Sequence, residues 1–135
     1  MNKTFKLLST AAIAILAFFI ILFTGMGIFE TIDALRYYTI REDSMIYALE
    51  DNRYGDLVSQ YHQNMALDVK SSETMKECYA IARYYEAALD YKLALLQNDP
   101  ALAQKAEQRM ETAANDMGAL SYAEADINSL LEITP

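Results

Sequence analysis

Tryptophan is absent, histidine and cysteine occur once each, proline twice and glycine four times in 135 residues, and each scarcity closes off a class of structure or chemistry. His62 has no cysteine or second histidine at ligand spacing, which argues against a zinc site and leaves it as a surface side chain. There is no Gly-x-Ser-x-Gly setting for a nucleophilic serine and no glycine-rich loop to cradle a phosphate. The paired carboxylates Glu42-Asp43 and Glu50-Asp51 are adjacent in sequence, so on a helix they diverge and cannot share a proton-transfer site. The sequence therefore predicts no catalytic residue, no metal ligand, no cofactor and no enzymatic activity. Cys78 has no internal partner, so apolar packing must hold the fold; it reads as a small buried hydrophobe, with an intermolecular bridge or a lipidation site as the alternative.

Charge is missing from one long stretch. No charged residue occurs across 7–29, and only Lys3 and Lys6 precede it. As a helix this run reaches about 35 Å, against about 30 Å for a hydrocarbon core, and it is expected to be a transmembrane signal anchor. The lysines before it and Glu30 and Asp33 after it place the amino end in the cytoplasm, while Arg36 and Arg41 work against that orientation. The alternative is a cleaved secretory signal with its apolar region at 11–23 and Gly25-Met26-Gly27 as the cleavage region, giving a secreted domain. The expected organisation is a basic cytoplasmic tail (1–6), the membrane helix (7–29) and an acidic extracytoplasmic helical domain (30–135).

Basic residues are also scarce. All nineteen acidic residues but only nine basic ones lie from Glu30 onward, a formal charge of −10. Excess carboxylates keep a helical domain soluble, or serve a cationic partner; they repel phosphate backbones, so no nucleic-acid partner is expected.

With Gly55, Gly118, Pro100 and Pro135 the only breakers beyond residue 30, and with Ala, Leu, Met, Glu and Gln abundant, long helices are favoured and the domain reads as all-α. The first helix should run on from the apolar segment, its stripe interrupted at Thr39 and Glu42, and end near Asp51-Asn52. A second spans about 54–67, with Tyr54, Leu57, Val58, Tyr61 and Met65 on one face. A third, capped by Ser71 or Ser72, carries Met75, Cys78, Tyr79, Ala82, Tyr85, Leu89, Leu93 and Leu96 as the spine of the core. Asn98-Asp99-Pro100 stops it and starts a fourth, whose inner face is Leu102, Ala106, Met110, Ala113 and Met117. Gly118 should close that helix, and Ser121 with Glu124 has the capping-box pattern for a fifth. Short links make successive helices antiparallel hairpins.

Residues 53–68, preceded by Leu49-Glu50-Asp51-Asn52, resemble the second half of a tetratricopeptide repeat, with Tyr54 and Tyr61 at the positions of the family's sealing aromatics. Leu57 and Asn64 stand where that family has alanine, and the first half lacks its Trp and Leu-Gly pair. The hairpin 75–117 follows the same helix-turn-helix logic with longer arms. The resemblance implies a groove that binds a protein or peptide.

Ten tyrosines, including the doublets Tyr37-Tyr38 and Tyr84-Tyr85, are the one unusual abundance. They pack core and rim, or Tyr37, Tyr38, Tyr84 and Tyr85 serve as exposed anchors for a partner. The expected function is a membrane-anchored scaffold that recruits another protein or peptide outside the cytoplasm. The alternative is a small-ligand sensory bundle.

Overall fold

The computed structural model describes the backbone of residues 3–133 and the side chains of 15–28 and 41–133. Among the described residues all regular structure is helical: α1 (Lys3–Glu50), α2 (Tyr54–Ala66), α3 (Glu73–Leu96), α4 (Pro100–Asn115), a 3-10 turn (Gly118–Leu120) and α5 (Tyr122–Leu130). The chain divides into two units, Met1–Thr39 and Ile40–Pro135.

The first unit overturns one expectation. Among the described residues no helix is long and apolar enough to cross a membrane, so the transmembrane helix expected at 7–29, and the signal anchor with it, is not what the described structure contains. The side chains of 7–14 and of Phe29 lie outside the described residues. Within 15–28 Phe19 and Phe23 stack with centroids 6.4 Å apart, and Thr24 Oγ1 donates to the Ile20 carbonyl at 2.6 Å.

The second unit is built around α3. Between Cys78 and Ala82 this helix is buried all the way round, as befits a central helix rather than a surface one. The last turns of α1 supply Met45, Ala48 and Leu49 to the core, α2 supplies Tyr54 and Leu57, and α5 supplies Ala123 and Ile127. The most extensive contact is between α3 and α4, followed by α2 with α3. Ala80, Ala87 and Ala94 on α3 and Ala103, Ala106 and Ala113 on α4 are all buried, so small side chains let these two helices approach closely.

That alanine seam corrects the expected core faces. The predicted spine holds from Met75 to Ala82, but Leu89, Leu93 and Leu96 are exposed, as is Leu102 on α4, where Ala103 takes the buried place. On α2 Asn64 is buried beside Tyr54 and Leu57, and Met65 faces outward. Asn64 is accommodated by polar partners: Arg41 donates to its Oδ1, and its Nδ2 lies 3.8 Å from the Met45 sulfur. Glu42, an interruption in the first helix by its polarity, accepts a 2.6 Å hydrogen bond from Ser72, which itself caps α3 by accepting from the Met75 amide at 3.1 Å.

With so few glycines, the helices stop on other residues. Asn52, Asp68, Asn98 and Glu132 all adopt left-handed φ of 50–55°. After α1 the Asn52 amide donates to the Leu49 carbonyl and the Arg53 amide to the Ala48 carbonyl, and the same pair of bonds recurs after α2, α3 and α5. These are Schellman closures, which satisfy carbonyls that the helix leaves free. Asp99 then starts α4 by accepting from the amides of Ala101 and Leu102, with Pro100 in the first turn.

The fifth helix starts differently from expectation. Ser121 has helical φ and makes no side-chain cap bond, because the 3-10 turn runs into α5 and backbone carbonyls take the first amides; the Ser121–Glu124 capping box does not form. Gly118 is left-handed (φ 55°), three residues beyond the end of α4. Glu77 of α3 crosses to accept from the Ala119 amide at 3.1 Å, and a Cβ on residue 118 would strike that carboxylate. Gly118→Ala should lower stability by about 2 kcal/mol, from left-handed strain and loss of the Glu77 bond. Urea melts of Gly118→Ala, Glu77→Ala and the double variant test this: the double should cost less than the sum of the singles, and strict additivity would refute the clash.

Candidate functional site

One face of α3 is polar on either side of the buried Tyr79. Lys76, Tyr79, Arg83, Glu86 and Asp90 recur at helical spacing along it, and α2 and α4 rise on either side. The result is a groove with α3 as its floor. Its first hollow, about 540 Å³, is bounded by Tyr61 and Met65 of α2 and by Asp116 beyond α4. The second, about 500 Å³, is bounded by Tyr61 and His62 on one side and Lys105, Arg109 and Thr112 of α4 on the other. Tyr61 and Arg83 line both, which makes them one continuous feature. A third hollow of about 280 Å³ shares Lys105 and Arg109 with the second and ends between Leu93 and Leu102.

Cross-helix ion pairs fix the floor. Arg83 Nη2 lies 2.8 Å from Asp116 Oδ2, Arg109 Nη1 lies 2.6 Å from Asp90 Oδ2, and His62 Nε2 lies 2.7 Å from Glu86 Oε1. All are partly exposed to solvent, where such a pair contributes about 0–1 kcal/mol; their effect is to hold side chains in place. Tyr61 covers the α2 wall with its ring 5.3 Å from that of Tyr79. Tyr79 is buried, and its hydroxyl has no hydrogen-bond partner among the described residues.

The doublet Tyr84-Tyr85 belongs to the packing. Tyr84 is 2% exposed, with its hydroxyl 2.9 Å from Asn128 Oδ1 and 3.4 Å from Glu124 Oε1. Tyr85 is half-buried and stacks on Tyr54 at 5.4 Å. Neither reaches the groove, and the side chains of Tyr37 and Tyr38 lie outside the described residues. The tyrosines that line the groove are Tyr61 and Tyr79 instead. Sequence reasoning missed the groove because its charged stripes on α3 and α4 look like ordinary solvated faces; the signal available was that both stripes keep helical register beside each other across a tight link.

The groove offers shape and charge rather than a reactive centre. Among the described residues no cluster of three or more His, Cys, Asp or Glu is placed to hold a metal ion. Cys78 is fully buried, and burial, with Glu42 and Glu77 adding, pushes its thiol up from 9.0 to about 11, so it keeps its proton at neutral pH. Comparison with protein families, characterised proteins and solved structures finds no match for the chain.

Proposed function

We propose that the helical unit 40–135 is a protein-interaction module that takes a peptide segment of a partner in the groove over α3, and that it acts by binding rather than by catalysis. The observation that carries this reading is the continuity of the groove: Tyr61 and Arg83 join its two larger hollows, and ion pairs between helices keep its floor in shape before any partner arrives. A preformed site spares the cost of ordering side chains on binding. Met65, 57% exposed at the α2 rim, gives it an adaptable apolar edge.

Selection of a displayed random-peptide library on the full chain tests the reading. Enriched peptides should bind the parent chain and lose at least ten-fold in affinity to Met65→Glu, a substitution at an exposed site that leaves the core intact. A selection that enriches nothing above the bare support, or peptides that bind Met65→Glu as well as the parent, would refute it.

A further inference from the structure

The charge of the second hollow runs against that of the molecule. The chain carries −8, and the first hollow follows it, with Glu73, Glu77 and Asp116 against Lys76 and Arg83, yet three of the eight basic residues in Ile40–Pro135 line the second. In the second hollow the cations Arg83, Lys105 and Arg109 face a single lining carboxylate, Glu86, which is already engaged by His62. Solubility explains an excess of carboxylates on a surface; it does not explain cations gathered into one concavity.

The guanidiniums are positioned but not used up. Arg83 meets Asp116 through Nη2 and Arg109 meets Asp90 through Nη1, one nitrogen in each case. A guanidinium carries five N–H donors in a fork, so each has donors left for a second carboxylate. Lys105 lies one turn along the α4 wall from Arg109, on the side of the third hollow, exposed, and joins no ion pair among the described residues. One step further along, Leu93 and Leu102, 52% and 49% exposed, flank the third hollow. Cationic groups and an apolar notch therefore follow one another along a single line.

We propose, resting on the peptide-binding reading above, that the occupant is an acidic peptide segment: its carboxylates meet Arg83, Lys105 and Arg109, and an apolar side chain of the same segment enters the notch between Leu93 and Leu102. A short acidic segment satisfies the local cations without the dense charge of a nucleic-acid backbone, which the chain's overall field and the flanking Asp90 and Asp116 oppose. The apolar notch has no use for a phosphate backbone and suits a leucine-sized side chain.

The test uses the full chain and fluorescein-labelled peptides of equal length built from repeats of Glu-Glu-Leu, Ser-Ser-Leu or Lys-Lys-Leu, read by anisotropy. The Glu-Glu-Leu peptide should bind tightest and weaken with added salt. Lys105→Glu should weaken it about five- to ten-fold, since attraction becomes repulsion, and Lys105→Gln by a smaller factor, with the melting temperature of both variants unchanged. Preference for Ser-Ser-Leu or Lys-Lys-Leu that is still lost with Met65→Glu would refute the acidic occupant while leaving the groove reading in place. Undiminished Glu-Glu-Leu binding by Lys105→Glu, or equal competition by oligothymidylate, would likewise overturn it. Absence of binding by every library-selected peptide would remove the groove reading itself.

Discussion

Replacing Tyr54 by alanine is expected to cost about 3–5 kcal/mol, the scale for deleting a buried aromatic side chain, and so a large part of the roughly 5–15 kcal/mol that holds a typical domain together. Tyr54 opens α2 and is only 2% exposed. Its ring stacks on Tyr85 of α3 at 5.4 Å, an arrangement that adds about 0.5–1.5 kcal/mol beyond area burial. Its hydroxyl donates to the Asn52 side chain at 3.1 Å, and Asn52 is the left-handed residue that closes α1. One side chain thus fastens the end of one helix, the start of the next and the central helix together. Tyr54→Phe keeps the ring and should cost only about 0.5–1.5 kcal/mol, the size of one hydrogen bond. Urea denaturation of the two variants beside Tyr85→Ala separates the contributions. If Tyr54→Ala cost no more than Tyr85→Ala, the pivotal place given to Tyr54 would be wrong.

The elements and their ends were legible in the sequence for local reasons. Asp99-Pro100 favours a helix start through its own neighbours, because a carboxylate accepts free amides and proline has no amide to lose; Ser72 likewise caps α3 locally. The all-α reading followed from scarce breakers and is what the structure shows among the described residues. What could not be read was which apolar face wins. Leu89, Leu93, Leu96 and Leu102 outrank alanine in hydrophobicity, yet Ala80, Ala87, Ala94, Ala103 and Ala106 occupy the interior because close approach of two helices leaves no room for larger side chains. That is a property of two elements together, invisible in either alone. The same holds for Glu42 and Asn64, polar residues whose partners Ser72 and Arg41 are remote in sequence.

The candidate site was hidden for a related reason. Tyrosine abundance drew attention to Tyr84 and Tyr85, but a ring on a central helix is more useful inside: Tyr84 ties α3 to Asn128 and Tyr85 supports Tyr54. The groove is instead made of Lys76, Arg83, Lys105 and Arg109, which singly are unremarkable surface residues and acquire meaning only when two helices bring them to one concavity.

Alkaline pH should unfold the helical unit well before its surface charges alone would, and Cys78 sets where the loss begins. The thiol is neutral when protonated, and burial among apolar neighbours holds that form in the native state up to about 11, against 9.0 when unfolded. Because the unfolded chain releases this proton first, stability is flat below about pH 9 and falls between about 9 and 11, by about 2–3 kcal/mol for a displacement of this size. Tyr54 and Tyr84 add to the fall from about pH 10 upward. Burial raises both phenols; Asp126 and Tyr122 reinforce the rise at Tyr54, while at Tyr84 the Asn128 hydrogen bond opposes it and Glu124 adds to it. Urea midpoints measured from about pH 8 to about pH 11 should therefore decline in the parent chain and decline less steeply in Cys78→Ala, even though that variant starts lower at neutral pH through the small cavity it leaves. Parallel pH profiles for the two chains would show that Cys78 titrates alike in both states, and the packing around it described above would have to be looser than the structure places it.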